Sequence, residues 1–178
     1  NALIESNLQG LNSVEVIKGP ASSLYGPEAV GGAINLITKT APGIPSAQIG
    51  YQVDEWGYKR VQFTAGAQVG KKWSIMTGGY VARQKGSWAS NSDFDKSSIN
   101  VRLDYQFTPK TKLWGSFAYN DYFSQTGGNI DSTGFYSRSY QSPADFTYRS
   151  SFSSRSRLTL EHKWSENANS SLTTFYRD

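Results

Sequence analysis

The sequence predicts a mostly β fold, part of a plugged antiparallel transmembrane β-barrel preceded by the end of an α+β plug domain. Three observations carry that prediction. Residues 13–41, SVEVIKGPASSLYGPEAVGGAINLITKTA, set two short apolar runs around a segment dense in glycine and proline. From about residue 46 the hydrophobic period switches to two, in aromatic-rich runs with one apolar and one polar face. The connections between those runs alternate between tight turns and long segments, as at the two ends of an outer-membrane barrel.

The glycine-punctuated stretch comes first. Residues 14–17 (VEVI) read as a short strand stopped by Gly19-Pro20. Residues 21–25 (ASSLY) suit one helical turn before Gly26-Pro27. Gly31-Gly32 marks tight backbone approach or positive φ, and residues 33–38 form a second strand. The unit is βαβ-like. Both Gly31 and Gly32 are expected to resist an added side chain. A linker over 40–46 follows, and its two prolines oppose both helix and central strand.

The wall follows from alternation. Ala47, Ile49, Tyr51 and Val53 alternate with polar residues or glycine, as do Val61, Phe63, Ala65, Ala67 and Val69. Ile99, Val101, Leu103, Tyr105 and Phe107 alternate with Asn100, Arg102, Asp104 and Gln106. Each run lasts about seven to ten residues, close to a tilted membrane-spanning strand. Residues 73–84, 112–123, 155–164 and 170–177 are less regular versions of the pattern.

Residues 69–72, 108–111 and 165–169 have the chemistry of tight turns, whereas 85–95 and 124–154 read as long loops. The hairpin at 54–59 is short but falls on the long-loop side. Trp56, Tyr58, Trp73, Trp88, Phe107, Tyr122 and Trp164 sit near the ends of runs, as interfacial girdles require. A soluble antiparallel sandwich is the competing reading. Its strands are usually about five or six residues, and it gives no reason for alternating loop lengths.

Composition narrows the function classes. The 178 residues include 14% aromatics and no cysteine, with a net charge of +4 and a mean hydropathy of −0.53. No run approaches the roughly 18 apolar residues of a transmembrane helix, which leaves barrel strands open. The basic residues are scattered and do not suggest nucleic acid as a partner. Without cysteine there is neither a disulfide nor a thiolate metal site. His162 is the one histidine, and no GxSxG elbow occurs, so no catalytic residue is assigned. Neither a metal site nor a cofactor is expected. Asn1 begins without a leader pattern, and LTTFYRD stops inside a strand pattern, so a piece of a longer protein is expected.

The residues at 14–38 carry a resemblance. Val14-Glu-Val-Ile-Lys-Gly-Pro20, Leu24-Tyr-Gly26 and Gly31-Gly-Ala-Ile-Asn-Leu-Ile-Thr38 resemble the C-terminal end of the plug in TonB-dependent outer-membrane receptors. The resemblance implies a plug end and linker over 1–45. It implies about seven early strands over 46–178 of a roughly 22-stranded barrel. Tight turns then lie on the periplasmic side and long loops outside. Two open edges in lipid again imply a partial chain.

The resemblance also implies roles. Gly19, Pro20, Leu24, Tyr25, Gly26, Gly31, Gly32 and Asn35 form the plug motif, structural rather than ligand-binding. Lys18 stands where an arginine is more common, keeping the charge without the fork. It resembles a lock between plug and barrel glutamates, with Glu161 as one lumen-facing partner; a solvated lysine is the alternative. Trp56, Tyr58, Arg83, Trp88, Tyr136, Arg138 and Tyr140 are candidate extracellular ligand contacts, since aromatic and cationic groups suit planar or anionic metal chelates. Girdle anchoring is their plainer role.

The function implied is energy-coupled uptake of a scarce metal chelate across the bacterial outer membrane, foremost a ferric siderophore. Haem or cobalamin uptake, or a passive porin or adhesin barrel, are the alternatives. The partners implied are the inner-membrane TonB energy-coupling complex, the chelate, outer-membrane lipid and a surface lipoprotein.

Overall fold

A computed structural model describes residues 11–25, 29–87, 89–129, 131–137 and 147–178, with the side chains of Leu24 and Tyr25 excepted. The chain forms two sheets. The first pairs β1 (Leu11–Lys18) with β2 (Gly32–Thr38), and α1 (Ser22–Tyr25) lies between them. The second runs β3 (Ser46–Val53), β4 (Tyr58–Val69), β5 (Trp73–Gln84), β6 (Phe94–Thr108), β7 (Thr111–Gln125), β8 (Tyr148–Lys163) and β9 (Asn169–Arg177). A short helix, α2 (Ser132–Tyr136), interrupts the connection from β7 to β8. Among the described residues no helix is long and apolar enough to cross a membrane, which says nothing about strands.

The first sheet departs from the βαβ expectation. β1 and β2 are antiparallel, with Lys18 opposite Gly32 and Leu11 opposite Thr38. The reason is length: one helical turn rises about 6 Å, far short of returning the chain along a strand of roughly 23 Å. The chain reverses in place instead. Gly19, at φ +98°, donates its N–H to the Gly31 carbonyl at 3.3 Å, and Ala21 donates to Ala29 at 2.9 Å. These bonds extend the ladder beyond the strands and tie the reversal together.

The two neighbouring glycines separate. Gly32 has φ +148°, and a Cβ there would stand 2.5 Å from the Ile17 carbonyl oxygen. Gly31 has ordinary backbone and no described heavy atom within 4 Å of such a Cβ. Only Gly32 is required by steric contact, so the expectation for Gly31 is corrected.

The second sheet is a strict meander in which every strand pairs antiparallel with its sequence neighbours. Turn chemistry closes one end. The Thr108 hydroxyl accepts from the Lys110 and Thr111 N–H groups at 3.2 and 3.1 Å. β3 and β9, with 8 and 9 residues, keep to the expected seven to ten, whereas β4 and β5 have 12, β6 and β7 have 15 and β8 has 16. Hydrogen bonding continues past any membrane-spanning band because each neighbour also continues. The serine-rich stretch 150–154, expected in a loop, is therefore strand. Ser150 lies opposite Phe123 and Ser154 opposite Tyr119.

The distribution of polarity is inverted relative to a water-soluble sheet. Val69 (60% exposed), Val81 (53%) and Leu172 (73%) face outward, whereas Gln62, Thr64, Ser98, Asp104 and Thr159 are all at most 9% exposed. Period-two alternation sends these two sets to opposite faces. An apolar face offered outward suits lipid, and a polar face turned inward suits a wet lumen. The fold is that of a plugged antiparallel transmembrane barrel, of which these strands form an open segment, preceded by the plug hairpin.

Candidate functional site

The plug hairpin meets the wall on its polar face, and this contact organises the site. Alternation places Gln62, Thr64 and Gly66 of β4 on that face, and register carries it to Met76 and Tyr80 of β5. It then passes to Arg102 and Ser98 of β6, Ser116 of β7 and Arg157 of β8. The linker crosses here: a Cβ on Gly66 would lie 2.9 Å from Pro42 Cδ. Beside it, Arg102 Nη1 donates to the Thr38 hydroxyl, at the end of β2, at 3.4 Å.

Three partners hold Arg102: Thr38, Asp104 and Trp114. The Arg102 Nε and Nη2 donate to the two Asp104 carboxylate oxygens, each at 3.0 Å, a bidentate fork. Lys112 Nζ adds a second cation 2.7 Å from Asp104 Oδ1. The Asp104 side chain is 6% exposed and satisfied by both partners. Trp114 is the third partner: its ring lies 4.5 Å from Arg102 Cζ and 4.9 Å from Arg157 Cζ, and so contacts two guanidinium groups. The Trp114 indole N–H donates to Glu161 Oε1 at 2.7 Å. The outcome is a preorganised guanidinium whose remaining Nη1 is aimed at the plug.

Sequence reasoning did not single out this cluster. Arg102 and Asp104 appear there as ordinary polar alternates, and Trp114 lies unnamed within the less regular 112–123 run. Trp114 shares its face with Lys112 and Ser116, so a large aromatic on the polar parity was the available signal. Its meaning depends on the register that sets Trp114 opposite Asp104 on one strand and Thr159 on the other.

The sequence-derived candidates fall in three places. Lys18 is exposed at the hairpin end opposite Thr38, with no ion pair among the described residues, while Glu161 accepts from Trp114. Gly19 and Pro20 sit at the chain reversal, and Asn35 Nδ2 donates to Glu15 Oε2 at 2.9 Å across the hairpin. Leu24 and Tyr25 belong to α1, whereas Gly26 lies outside the described residues.

At the far end of the wall, the Trp56 and Tyr58 N–H groups both donate to Asp54 Oδ1 at 2.9 Å. The Tyr58 ring lies 6.1 Å from that of Phe94. Arg83 pairs with Asp95 at 2.7 Å, and alternation puts both on the outward face. Tyr136 is 84% exposed on α2. Trp88, Arg138 and Tyr140 lie outside the described residues. The structure thus brings Trp56 and Tyr58 to one rim, and gives Arg83 an outward acid partner. Among the described residues no group of three or more histidine, cysteine or acidic side chains could hold a metal ion.

Comparison with known proteins follows this geometry. No family model matches the chain. It is 28% identical over 116 residues to the vitamin B12 transporter BtuB of Vibrio vulnificus (strain CMCP6), covering 64% of this chain and 18% of that protein. It is 56% identical over 32 residues to the iron-regulated outer membrane virulence protein of Vibrio cholerae serotype O1, covering 18% and 5%.

Among solved structures, FpvA of P. aeruginosa bound to heterologous pyoverdines superposes with a TM-score of 0.81 at 19% identity, over 96% of this chain and 24% of that one. The ferric-catecholate import receptor Fiu from E. coli K12 superposes with a TM-score of 0.78 at 16% identity, over 96% and 29%. The chain spans less than a fifth of the length of these curated relatives. The resemblance seen at residues 14–38 stands, and the location is the bacterial outer membrane.

Proposed function

We propose that this chain is the plug–barrel junction of a TonB-dependent outer-membrane receptor that takes up a ferric siderophore by energy-coupled transport. One observation carries the reading. A plug hairpin docks through Thr38 and the linker onto the polar face of an inverted strand wall. A passive porin has no need of a hairpin seated there. Residues 1–45 are the end of the plug with its linker, and 46–178 are early strands of the barrel. The siderophore assignment draws support from the structural likeness to receptors named for ferric catecholates and pyoverdines.

In this reading the protein is a transporter, not an enzyme. Its partners are the TonB complex on the periplasmic side, the metal chelate, the surrounding lipid and a surface lipoprotein. The plug motif of Gly19, Pro20, Leu24, Tyr25, Gly26, Gly32 and Asn35 serves plug shape. Lys18 serves as a lock toward a carboxylate elsewhere on the barrel. Trp56, Tyr58, Arg83, Trp88, Tyr136, Arg138 and Tyr140 are the ligand-contact candidates of the outer rim. Cobalamin is the second reading, favoured by the likeness to a vitamin B12 transporter.

The test is uptake by cells whose only such receptor is the full-length protein, offered ferric siderophores, haem or cyanocobalamin, with and without a functional TonB. Accumulation of iron from a siderophore that stops when TonB is deleted is the expected result. TonB-dependent cobalamin accumulation alone would select the second reading. Solute entry that ignores TonB would return the chain to the porin class.

A further inference from the structure

The rim residues do not all face one way. Alternation sets Tyr58 and Gln84 on the polar face and Lys59 and Arg83 on the outward one, directly opposite each other across β4 and β5. Like charges directly opposite in a sheet are destabilising, so an anion shared between them is favoured. Asp95, opposite Arg83 on β6, meets part of that need, with Oδ1 2.7 Å from Arg83 Nε. The contact occupies one edge of a guanidinium whose donors outnumber what one oxygen takes. Lys59 is exposed and has no ion pair among the described residues. Lys85, exposed and next beyond β5, adds a third cation at this end. Of the nearby acids, Asp54 Oδ1 is committed to the Trp56 and Tyr58 N–H groups, Glu55 lies in the turn beyond the strands, and Asp121 is two strands from Arg83.

An apolar groove begins one row below these cations. Val61 and Val81, the next outward pair, line it with Phe63, Ser97, Ile99 and Tyr119, and it measures about 280 Å³. Gly79 stands between Phe63 and Ile99, and Ser97 beside Val81; neither brings bulk, which recesses the face there. Strands β4 to β7 are each paired on both sides, so neither the cations nor the groove belong to a sheet edge. The groove runs along the face that the membrane covers, where the neighbouring molecules are lipids. Cations above and an apolar channel below fit the two parts of one such molecule, a phosphate and an acyl chain.

We propose that Lys59 and Arg83 hold the phosphate of an anionic lipid whose acyl chain lies in the groove between Phe63 and Tyr119. Lys59 Nζ and the terminal Arg83 nitrogens donate to phosphate oxygens in charge-assisted hydrogen bonds, while Asp95 keeps the guanidinium turned outward. The outer leaflet follows from the receptor reading above, in which this end of the wall is extracellular; the site itself does not depend on the cargo.

The test uses the full-length protein in an uncharged detergent and follows lipid binding by native mass spectrometry. The probes are diphosphoryl lipid A, the same lipid with both phosphates removed, and inorganic phosphate. The variants are K59Q/R83Q for the cations and Ser97→Phe for the groove, with Lys71→Gln at the opposite end of the wall as control. K59Q/R83Q is expected to lose about tenfold or more toward lipid A and less than about twofold toward the dephosphorylated lipid. Ser97→Phe is expected to weaken both lipids by about threefold or more, and Lys71→Gln to match wild type.

Equal lipid A affinity in wild type and K59Q/R83Q, or an equal loss toward both lipids, overturns the phosphate role. Unchanged binding in Ser97→Phe overturns the groove. Inorganic phosphate that displaces lipid A at equal concentration overturns lipid as the occupant. Should K59Q/R83Q fail to fold, Lys59→Gln alone leaves the Arg83–Asp95 pair intact and reads the same titrations with smaller amplitude; no loss there also overturns the site. Failure of the uptake reading leaves these titrations unchanged, so the two are judged separately.

Discussion

The plug hairpin and the barrel wall are both antiparallel β, yet they are held in different ways. In the hairpin the decisive constraint is local. Gly32 must place its backbone against the Ile17 carbonyl, and only glycine accepts that φ and that distance together. In the wall the decisive constraint is register. Asp104, Arg102, Lys112 and Trp114 form one cluster because strands β6 and β7 align at that point. A local constraint is broken by one Cβ, whereas a register-dependent one is broken by removing the shared partner. Where hairpin and wall meet, Arg102 belongs to the wall cluster and Thr38 to the hairpin.

The largest effect is expected in the wall. Asp104→Ala leaves two cations without their common carboxylate in a mostly enclosed place, and should destabilise the folded protein by about 3 kcal/mol. Denaturant unfolding of the full-length protein in micelles measures it; a loss below a few tenths would deny the cluster its role. Gly32→Val comes next, at about 2 kcal/mol of hairpin stability, from strained φ and contact with Ile17. Limited proteolysis of the plug is the readout, and Gly31→Ala is its foil. If both substitutions open the plug equally, the separation of the two glycines is wrong.

Trp114→Leu sharpens the comparison within the wall. Loss of both guanidinium contacts should cost about 1 kcal/mol and loosen Arg102 without unfolding the strands. The smallest effect belongs to the junction itself. Thr38→Val removes one long hydrogen bond, worth about 0.5 kcal/mol, and should raise plug protease sensitivity while leaving barrel melting unchanged. A drop in barrel melting as large as that of Asp104→Ala would mean that hairpin and wall fold as one unit.

Much of the wall was legible because period-two alternation needs no partner to be seen. Val61 to Val69 announce an apolar face by themselves, as do Ile99 to Phe107. Ser150 to Ser154 did not, since serine has little intrinsic preference for a strand; Tyr119 to Phe123 on β7 impose it by pairing. The orientation of β2 was misread for a related reason. A short helical turn between two strands looks like a crossover until its rise is compared with the strand length. The Arg102 cluster stayed hidden because Thr38, Arg102, Trp114 and Glu161 are far apart in sequence, and no local pattern joins them.

Sequence alone determined the strand faces and the tight turns at one end, because each depends on neighbours within a few residues. Tertiary structure decided the antiparallel pairing of the hairpin, the strand state of the serine stretch and the seating of Thr38 beside Arg102. These depend on register between strands, and register is set by the hydrogen-bond ladders and connections of the whole sheet rather than by any one segment.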